Sequence, residues 1–271
     1  MSKQPAWDGA SNPLGLFDVR GRSALVVGAT GAFGKMASRA LARAGAQLTL
    51  AGGNAGKLEE IAEELRAAGA QVEVVARRPA EAEDAEAMVA AATRAYGRLD
   101  IAVVASGLNK VAPITDQPVA DWDEVMNANV RGPWLVCRAA GAQFIQQGGG
   151  GKVVLLSSTR GRLGHPAGYS AYSPSKAAVD LLAKTLACEW GPHGIHVNAI
   201  APTVFRSDLT AWMYAEEGKG AETRKAMLSR IPIGRLAEPE DFAGALIYLA
   251  SPASDFCTGQ VIYVDGGYTA G

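Results

Sequence analysis

Tyr172 and Lys176 stand four residues apart in Tyr172-Ser173-Pro174-Ser175-Lys176. On a helix such a pair shares one face, with Cβ atoms about 5–6 Å apart. A free phenol has a pKa of about 10, too high for easy proton exchange at neutral pH. A lysine ammonium alongside favours the phenolate and lowers that value. Tuned in this way, a tyrosine can give a proton to, or take one from, an alcohol or ketone oxygen. Upstream, Ser157, Ser158 and Thr159 close an apolar run over residues 153–156 that reads as a buried strand. A hydroxyl at the end of that strand could hydrogen-bond the same substrate oxygen. A Y-x-x-x-K spacing alone is common on surface helices, so its weight comes from the rest of the chain.

The elements that must position these groups are readable from the pattern. Apolar runs at 23–27, 47–51, 71–76, 101–105, 152–157, 196–201 and 260–264 read as strands. Helical stretches separate them, at 55–68, 80–96, 121–146, 172–190 and 239–250, with another opening at Lys35. Strands alternating with helices predict an α/β fold: a doubly wound, Rossmann-type parallel sheet of about seven strands with helices on both faces. No internal boundary or repeat interrupts the pattern. Residues 1–20 are polar and rich in Gly, Pro and Asn, and read as an N-terminal arm. Residues 21–271 then form a single domain. Within it, 207–230 is expected to be helical but irregular, with Gly218 and Gly220 interrupting it.

Composition excludes several function classes. The chain has 271 residues, a formal net charge of −1, 48% hydrophobic residues and only 7% aromatic ones. No basic field exists to draw nucleic acid or an anionic membrane. No apolar run is long enough to span a bilayer, and the N-terminus lacks the apolar core of a signal peptide. Cys137, Cys188 and Cys257 are far apart, have no metal spacing and cannot all pair. They favour a reducing, cytoplasmic setting and are expected to be small buried apolar residues. His193 and His196 straddle a helix end and a strand start, which suits turn and strand residues better than a metal site. No metal is expected.

The first strand runs straight into Gly28-Ala29-Thr30-Gly31-Ala32-Phe33-Gly34 and then a helix. Glycines there let backbone approach a pyrophosphate, which the helix N-terminus binds. Strand before and helix after make a nucleotide site the expected reading. Gly28, Thr30, Gly31, Phe33 and Gly34 are its candidate residues. The end of the second strand, Leu50-Ala51-Gly52-Gly53-Asn54, carries no acid for a ribose 2′-hydroxyl. Nothing there repels a 2′-phosphate, and Lys35, Lys57 and Arg78 could reach one. This favours NADP over NAD.

With these motifs in view, the chain resembles the short-chain dehydrogenases/reductases over about residues 17–270. Tyr172 and Lys176 match the family's YxxxK, and Ser158 matches the second serine of its ISS motif. Asn129, in MNANVRG, matches the helix asparagine that helps hold a water in the proton relay. Asn198 lies on the strand leading to the family's PG motif, and Ser207 matches that motif's threonine near the nicotinamide amide. The C-terminal run from IPIGRLAEPEDF to TGQVIYVDGG is also characteristic. The resemblance implies an NAD(P)-dependent oxidoreductase with Ser158, Tyr172, Lys176 and Asn129 as its catalytic set. It adds Ser106, Gly107, Val204 and Ser207, with Gly52, Gly53 and Arg78, to the residues around the cofactor. Several positions depart from the family pattern. Val27 replaces its threonine and Ala32 its middle glycine. NNAG becomes Val104-Ala105-Ser106-Gly107, Arg78 stands where an aspartate usually contacts adenine, and Thr203 replaces the glycine of PG. Strand order in the family makes the first and fourth strands neighbours, so Val27 and Val104 are expected side by side.

The function implied is hydride transfer between the nicotinamide and a secondary alcohol or ketone, with a sugar, sugar acid or polyol as substrate. A ketoacyl-thioester or other small-ketone reductase is the alternative within the enzyme class. A nucleotide-binding regulator without catalysis is the rival outside it. Lys110 follows the fourth strand, where ligands of such sheets bind, and His165 lies in the loop before Tyr172. Trp212 lies in the segment that forms a lid in this family, about 207–230. These three are the candidate substrate contacts. The resemblance, with the apolar surfaces of helices 121–146 and 172–190, implies a homotetramer.

Overall fold

The computed structural model describes residues 12–271. The N-terminal arm up to residue 11 lies outside the described residues. A short 3-10 turn, Pro13–Phe17, capped by the Asn12 side chain, precedes the first strand.

Seven strands, β1 (Ser23–Val27), β2 (Gln47–Ala51), β3 (Val72–Val75), β4 (Ile101–Val104), β5 (Gly151–Leu156), β6 (Ile195–Pro202) and β7 (Val261–Val264), form one sheet. Its order is β3-β2-β1-β4-β5-β6-β7, and every pairing is parallel. The strand order reverses between β1 and β4, and the crevice at such a point is where these sheets bind ligands. The strands are aliphatic runs because both faces are covered. All five residues of β1 are buried.

Among the described residues are eight α-helices, most of them packed on the sheet: α1 (Ala32–Arg43), α2 (Ala55–Ala67), α3 (Ala82–Tyr96), α4 (Val119–Met126), α5 (Gly132–Gln147), α6 (Tyr172–Trp190), α7 (Gly218–Leu228) and α8 (Ala243–Ala250). Alternation along β1 divides them. Leu25 and Val27 face a core shared with α3, α5 and α6. Ala24 and Val26 face the opposite core, shared with α1, α2 and α8. Val27 and Val104 are register partners across β1 and β4 and enter the same core. They lie side by side, as expected. A small third core of Met213, Met227, Ile231, Leu236 and Tyr268 gathers α7 and the C-terminal segment. Among the described residues no helix is long and apolar enough to cross a membrane.

Three sequence expectations are corrected. The helix expected over 121–146 starts at Val119 and is broken by a π-helical segment, Asn127–Arg131, where the Gly132 N–H reaches the Asn127 carbonyl. The extra residue per turn marks the place where the Asn129 side chain is pulled toward the β4 loop. In the stretch 207–230, Gly218 opens α7 with φ 74° rather than interrupting a helix. A Cβ on Gly220 would collide with the Trp212 carbonyl, so this glycine lets the 3-10 turn Ala211–Tyr214 pack on α7. Of the cysteines only Cys137 is fully buried; Cys188 is exposed on the outer face of α6, and Cys257 is half-buried.

Candidate active site

Tyr172 opens α6 and Lys176 follows one turn later, so helix geometry alone puts both on the face turned to β5. Lys176 is 3% exposed, and its Nζ donates to the Leu156 carbonyl at the end of β5, 2.8 Å away. The ammonium lies 5.6 Å from the centroid of the Tyr172 ring. Burial pulls the lysine pKa down to about 8, while Asp180, a further turn along α6, favours its charged form. Burial also pushes the Asp180 carboxyl up. The Tyr172 phenol is raised from its ordinary value, mainly by burial; the Ser158 hydroxyl and the Arg160 charge act the other way. The expectation that Lys176 lowers this pKa is not met: desolvation of the phenolate dominates, and the groups that oppose it are Ser158 and Arg160. Ser158 caps the 3-10 turn Thr159–Gly161, accepting from the Arg160 N–H at 3.1 Å. That cap fixes its Oγ at the end of β5, facing Tyr172.

The π-helical segment delivers Asn129, which is fully buried. Its Oδ1 accepts from the Leu108 N–H at 2.8 Å, and its Nδ2 donates to the Leu108 carbonyl at 2.9 Å. Nδ2 also donates to Ser175 Oγ, which in turn donates to the Tyr172 carbonyl. The side chain thus ties the β4 loop to the first turn of α6. Gly107 crosses directly above: a Cβ there would stand 3.0 Å from Asn129 Oδ1 and 3.6 Å from Lys176 Nζ. An isolated parallel bridge between Ala112 and Tyr169 closes the loop against the segment before α6.

On the other side of the switch point lies a cradle. Gly28 has φ 81°, and a Cβ on it would stand 2.6 Å from the Ser106 nitrogen; one on Gly34 would collide with the Gly28 carbonyl. The turn can close only with glycine at both places. Gly31 caps α1 without any side-chain bond, and the first turn of α1 holds no acid. Its leading N–H groups are left for an anion. Phe33 turns its ring into the core against Phe242, so only its backbone faces the turn. The Ser106 hydroxyl is buried with no partner. Thr30 stands beside Gly52. Arg78, after β3, lies over Gly53 so closely that a Cβ there would collide with its Nε. These features fit a dinucleotide: a tight backbone approach, free helix-end donors, an orphaned hydroxyl and a guanidinium at the end of β2. Val204 lies at the border of the third core. The Ser207 hydroxyl pairs with that of Thr210 at 3.0 Å. Asn198 holds β6 to β7, donating to the Cys257 carbonyl and accepting from the Gln260 N–H.

The candidate substrate contacts are placed unevenly. His165 packs edge-on against Tyr169, 4.9 Å between centroids, and Tyr169 against Tyr172 at 6.0 Å. Lys110 is held by Asp121 and Glu124 of α4. Trp212 is half exposed. Sequence reasoning missed Ser175, Tyr169, Arg160 and Tyr268. Arg160 carried one signal, its place two residues after Ser158. Tyr268 carried none, being separated from Arg160 by 108 positions in the chain.

A seven-stranded parallel sheet with this crevice and a Ser, Tyr and Lys at its edge defines the short-chain class of dinucleotide oxidoreductases. The family model described as enoyl-(acyl carrier protein) reductase matches residues 28–269. The chain belongs to the short-chain dehydrogenase/reductase family and is an NAD(P)-dependent oxidoreductase. It is 62% identical over 260 residues to an "uncharacterized oxidoreductase" of Mycobacterium tuberculosis, covering 95% of this chain and 94% of the relative. It is 34% identical over 254 residues to gluconate 5-dehydrogenase of Gluconobacter oxydans, covering 94% and 97%. It is 37% identical over 256 residues to galactitol 2-dehydrogenase of Cereibacter sphaeroides, covering 94% and 97%. The crystal structure of a Burkholderia cenocepacia gluconate 5-dehydrogenase with NADP and tartrate superposes with a TM-score of 0.90 at 30% identity, covering 96% of this chain and all of that one.

Proposed function

We propose that this protein oxidises a secondary alcohol of a polyol or sugar acid, or reduces the matching ketone, with NADP as partner. The observation that carries it is the meeting of Ser158, Tyr172 and buried Lys176 at the end of β5, beside the glycine cradle. The nicotinamide accepts or supplies the hydride when it is bound. The Ser158 hydroxyl holds the substrate oxygen. In reduction the Tyr172 hydroxyl gives its proton to that oxygen and is left as phenolate; in oxidation the phenolate takes the alcohol's proton back. Lys176 offers a cation that offsets the developing phenolate. Asn129 keeps the β4 loop and the first turn of α6 in register, and supports the water relay. Relatives named for gluconate, galactitol, rhamnose and threitol support the polyol and sugar-acid class.

Arg78 holds the 2′-phosphate of NADP. It lies over Gly53 at the end of β2, where no acid repels the phosphate. Ser106, Gly107, Val204 and Ser207 line the cofactor's far end, and residues 207–230 form the lid. The protein works in the cytoplasm as a homotetramer. Trp134 on α5 and Leu181 on α6 are 50% and 63% exposed. They border one apolar groove between those helices, the surface a two-fold partner would cover.

The test follows reduced-nicotinamide absorbance with polyols, aldonates and their keto forms, alongside a ketoacyl thioester. Turnover confined to the polyol or sugar-acid set supports the proposal. Turnover of the thioester alone replaces it with the ketoacyl reductase reading. Failure of every substrate, with cofactor still bound, returns the protein to a non-catalytic role.

A further inference from the structure

Beyond the groups expected to handle the reacting oxygen, the cleft carries a cationic wall. Arg160 is half-buried, its position set by the same 3-10 turn that fixes Ser158. Its Nη2 donates to the Tyr268 hydroxyl at 3.0 Å. Its guanidinium lies 5.5 Å from the Tyr268 ring centroid and 5.8 Å from that of Tyr169. Tyr169 in turn meets Tyr172. Arg230, just beyond α7, stacks on Tyr268 at 4.4 Å. The Tyr268 ring, 1% exposed, thus has a guanidinium against it from each of two distant segments.

Among the described residues neither arginine has a carboxylate partner. Arg206, by contrast, pairs with Glu238, and Arg235 with Asp241. Asp265, close to Tyr268 in sequence, is spent on the Gly267 and Thr269 N–H groups and the Thr269 hydroxyl. Both arginine charges reach the site. They act together on His165, and Arg160 acts on the Tyr172 phenol. Two guanidinium charges held at one ring with no acid beside them favour an anion within reach of both. A guanidinium's planar donors suit a carboxylate.

We infer that Arg160, backed by Tyr268 and joined by Arg230, forms a subsite for a carboxylate of the substrate, selecting a hydroxy acid or its keto form over a neutral polyol. The inference rests on the oxidoreductase function proposed above and narrows its substrate class. Tyr268 holds the Arg160 fork through its hydroxyl and presents its ring to Arg230, so it positions both. Lys110, already clamped by Asp121 and Glu124, is not needed for this contact.

The experiment titrates NADP-loaded protein by calorimetry with two charged and neutral pairs: D-gluconate against D-glucitol, and tartrate against threitol. Wild-type protein should bind at least one carboxylate about tenfold or more tightly than its neutral partner, the range of a charged hydrogen bond. Arg160→Gln should remove that preference and leave the neutral ligand unchanged. Arg160→Lys should restore part of it. Arg230→Gln, at an exposed position whose loss leaves the cores intact, should weaken the carboxylate alone and make its binding less sensitive to salt. Equal affinity for both members of both pairs overturns the subsite, as does no binding of either carboxylate or an equal loss in both classes. Tyr172→Phe separates the two proposals: it should keep the carboxylate preference while turnover falls. Turnover without charge preference removes the subsite and leaves the oxidoreductase. Charge preference in a wild-type protein that turns over none of these ligands keeps the subsite and removes the reaction.

Discussion

Tyr172 concentrates the proposed chemistry in one hydroxyl. Tyr172→Phe deletes only that oxygen and keeps the ring against Tyr169. It should leave folding and NADP binding intact and lower kcat by about 10²–10⁴-fold, the usual contribution of a general acid–base group. Steady-state kinetics with parallel calorimetric NADP binding checks this, and near wild-type turnover would rule the role out. Lys176 gives a pH signature. Its folded value of about 8 lies below its ordinary 10.5. Between those values the unfolded chain holds a proton that the folded chain has released, so this group makes stability rise with pH from about 8 to about 10.5. Below that window both states are charged and the full cost of burying the ammonium remains. Denaturant unfolding of cofactor-free wild type and Lys176→Met should therefore converge as pH rises through the window, apart from a constant offset for the lost Leu156 bond. A gap that stays constant or widens contradicts the buried-ammonium account. Arg78 sets cofactor choice at the same scale. Arg78→Ala should weaken NADP by about 10-fold or more, as expected for a charged hydrogen bond to phosphate, with NAD little changed. Calorimetry with both nucleotides decides, and equal losses would move the 2′-phosphate elsewhere.

At the scale of elements, the β1–β4 pair and the π-helical segment do the positioning. Val27 and Val104 face each other in a dry core. A single Val27→Thr buries a hydroxyl with no partner there and should cost about 1–3 kcal/mol. Adding Val104→Asn supplies the partner. The double variant should lose less than the sum of the singles, with a coupling of about 0.5–3 kcal/mol in a thermal-unfolding cycle. Simple additivity would mean that the two positions do not exchange a hydrogen bond. The apolar pair was legible because the strand order implied by the resemblance made them neighbours. The π-helical segment was legible only in part. Gly132-Pro133 within 121–146 was a signal for a break, because proline has no N–H to continue the helical ladder; that the break would bring Asn129 to Leu108, 21 positions earlier in the chain, was not readable.

At the scale of the whole molecule, assembly depends on surface left over after the sheet is covered. Helices α5 and α6 cover the sheet with one side and still present Trp134 and Leu181 to solvent. A tetramer built on that face should appear in multi-angle light scattering at micromolar concentration. Leu181→Glu, on the exposed side of α6, should reduce its mass while the far-UV spectrum of the fold is kept. A wild-type monomer would remove the assembly.

The amino-acid sequence by itself determined what depends on local spacing. Alternating strand and helix patterns specify a parallel sheet because each period buries one face, and four residues on a helix put Lys176 over Tyr172 whatever surrounds them. The glycines of the first turn are likewise readable, since only a missing Cβ allows Gly28 and Gly34 their close approaches. Tertiary structure alone decided the electrostatics. Whether Lys176 or burial governs the Tyr172 pKa depends on how much water the packed cleft excludes, which no spacing encodes. It also decided which cations are free: Lys110 meets two acids on α4, whereas Arg160 meets the ring of Tyr268. Solvent exclusion and long-range pairing arise only when the strands have closed, because both depend on residues that the chain separates and the sheet brings together.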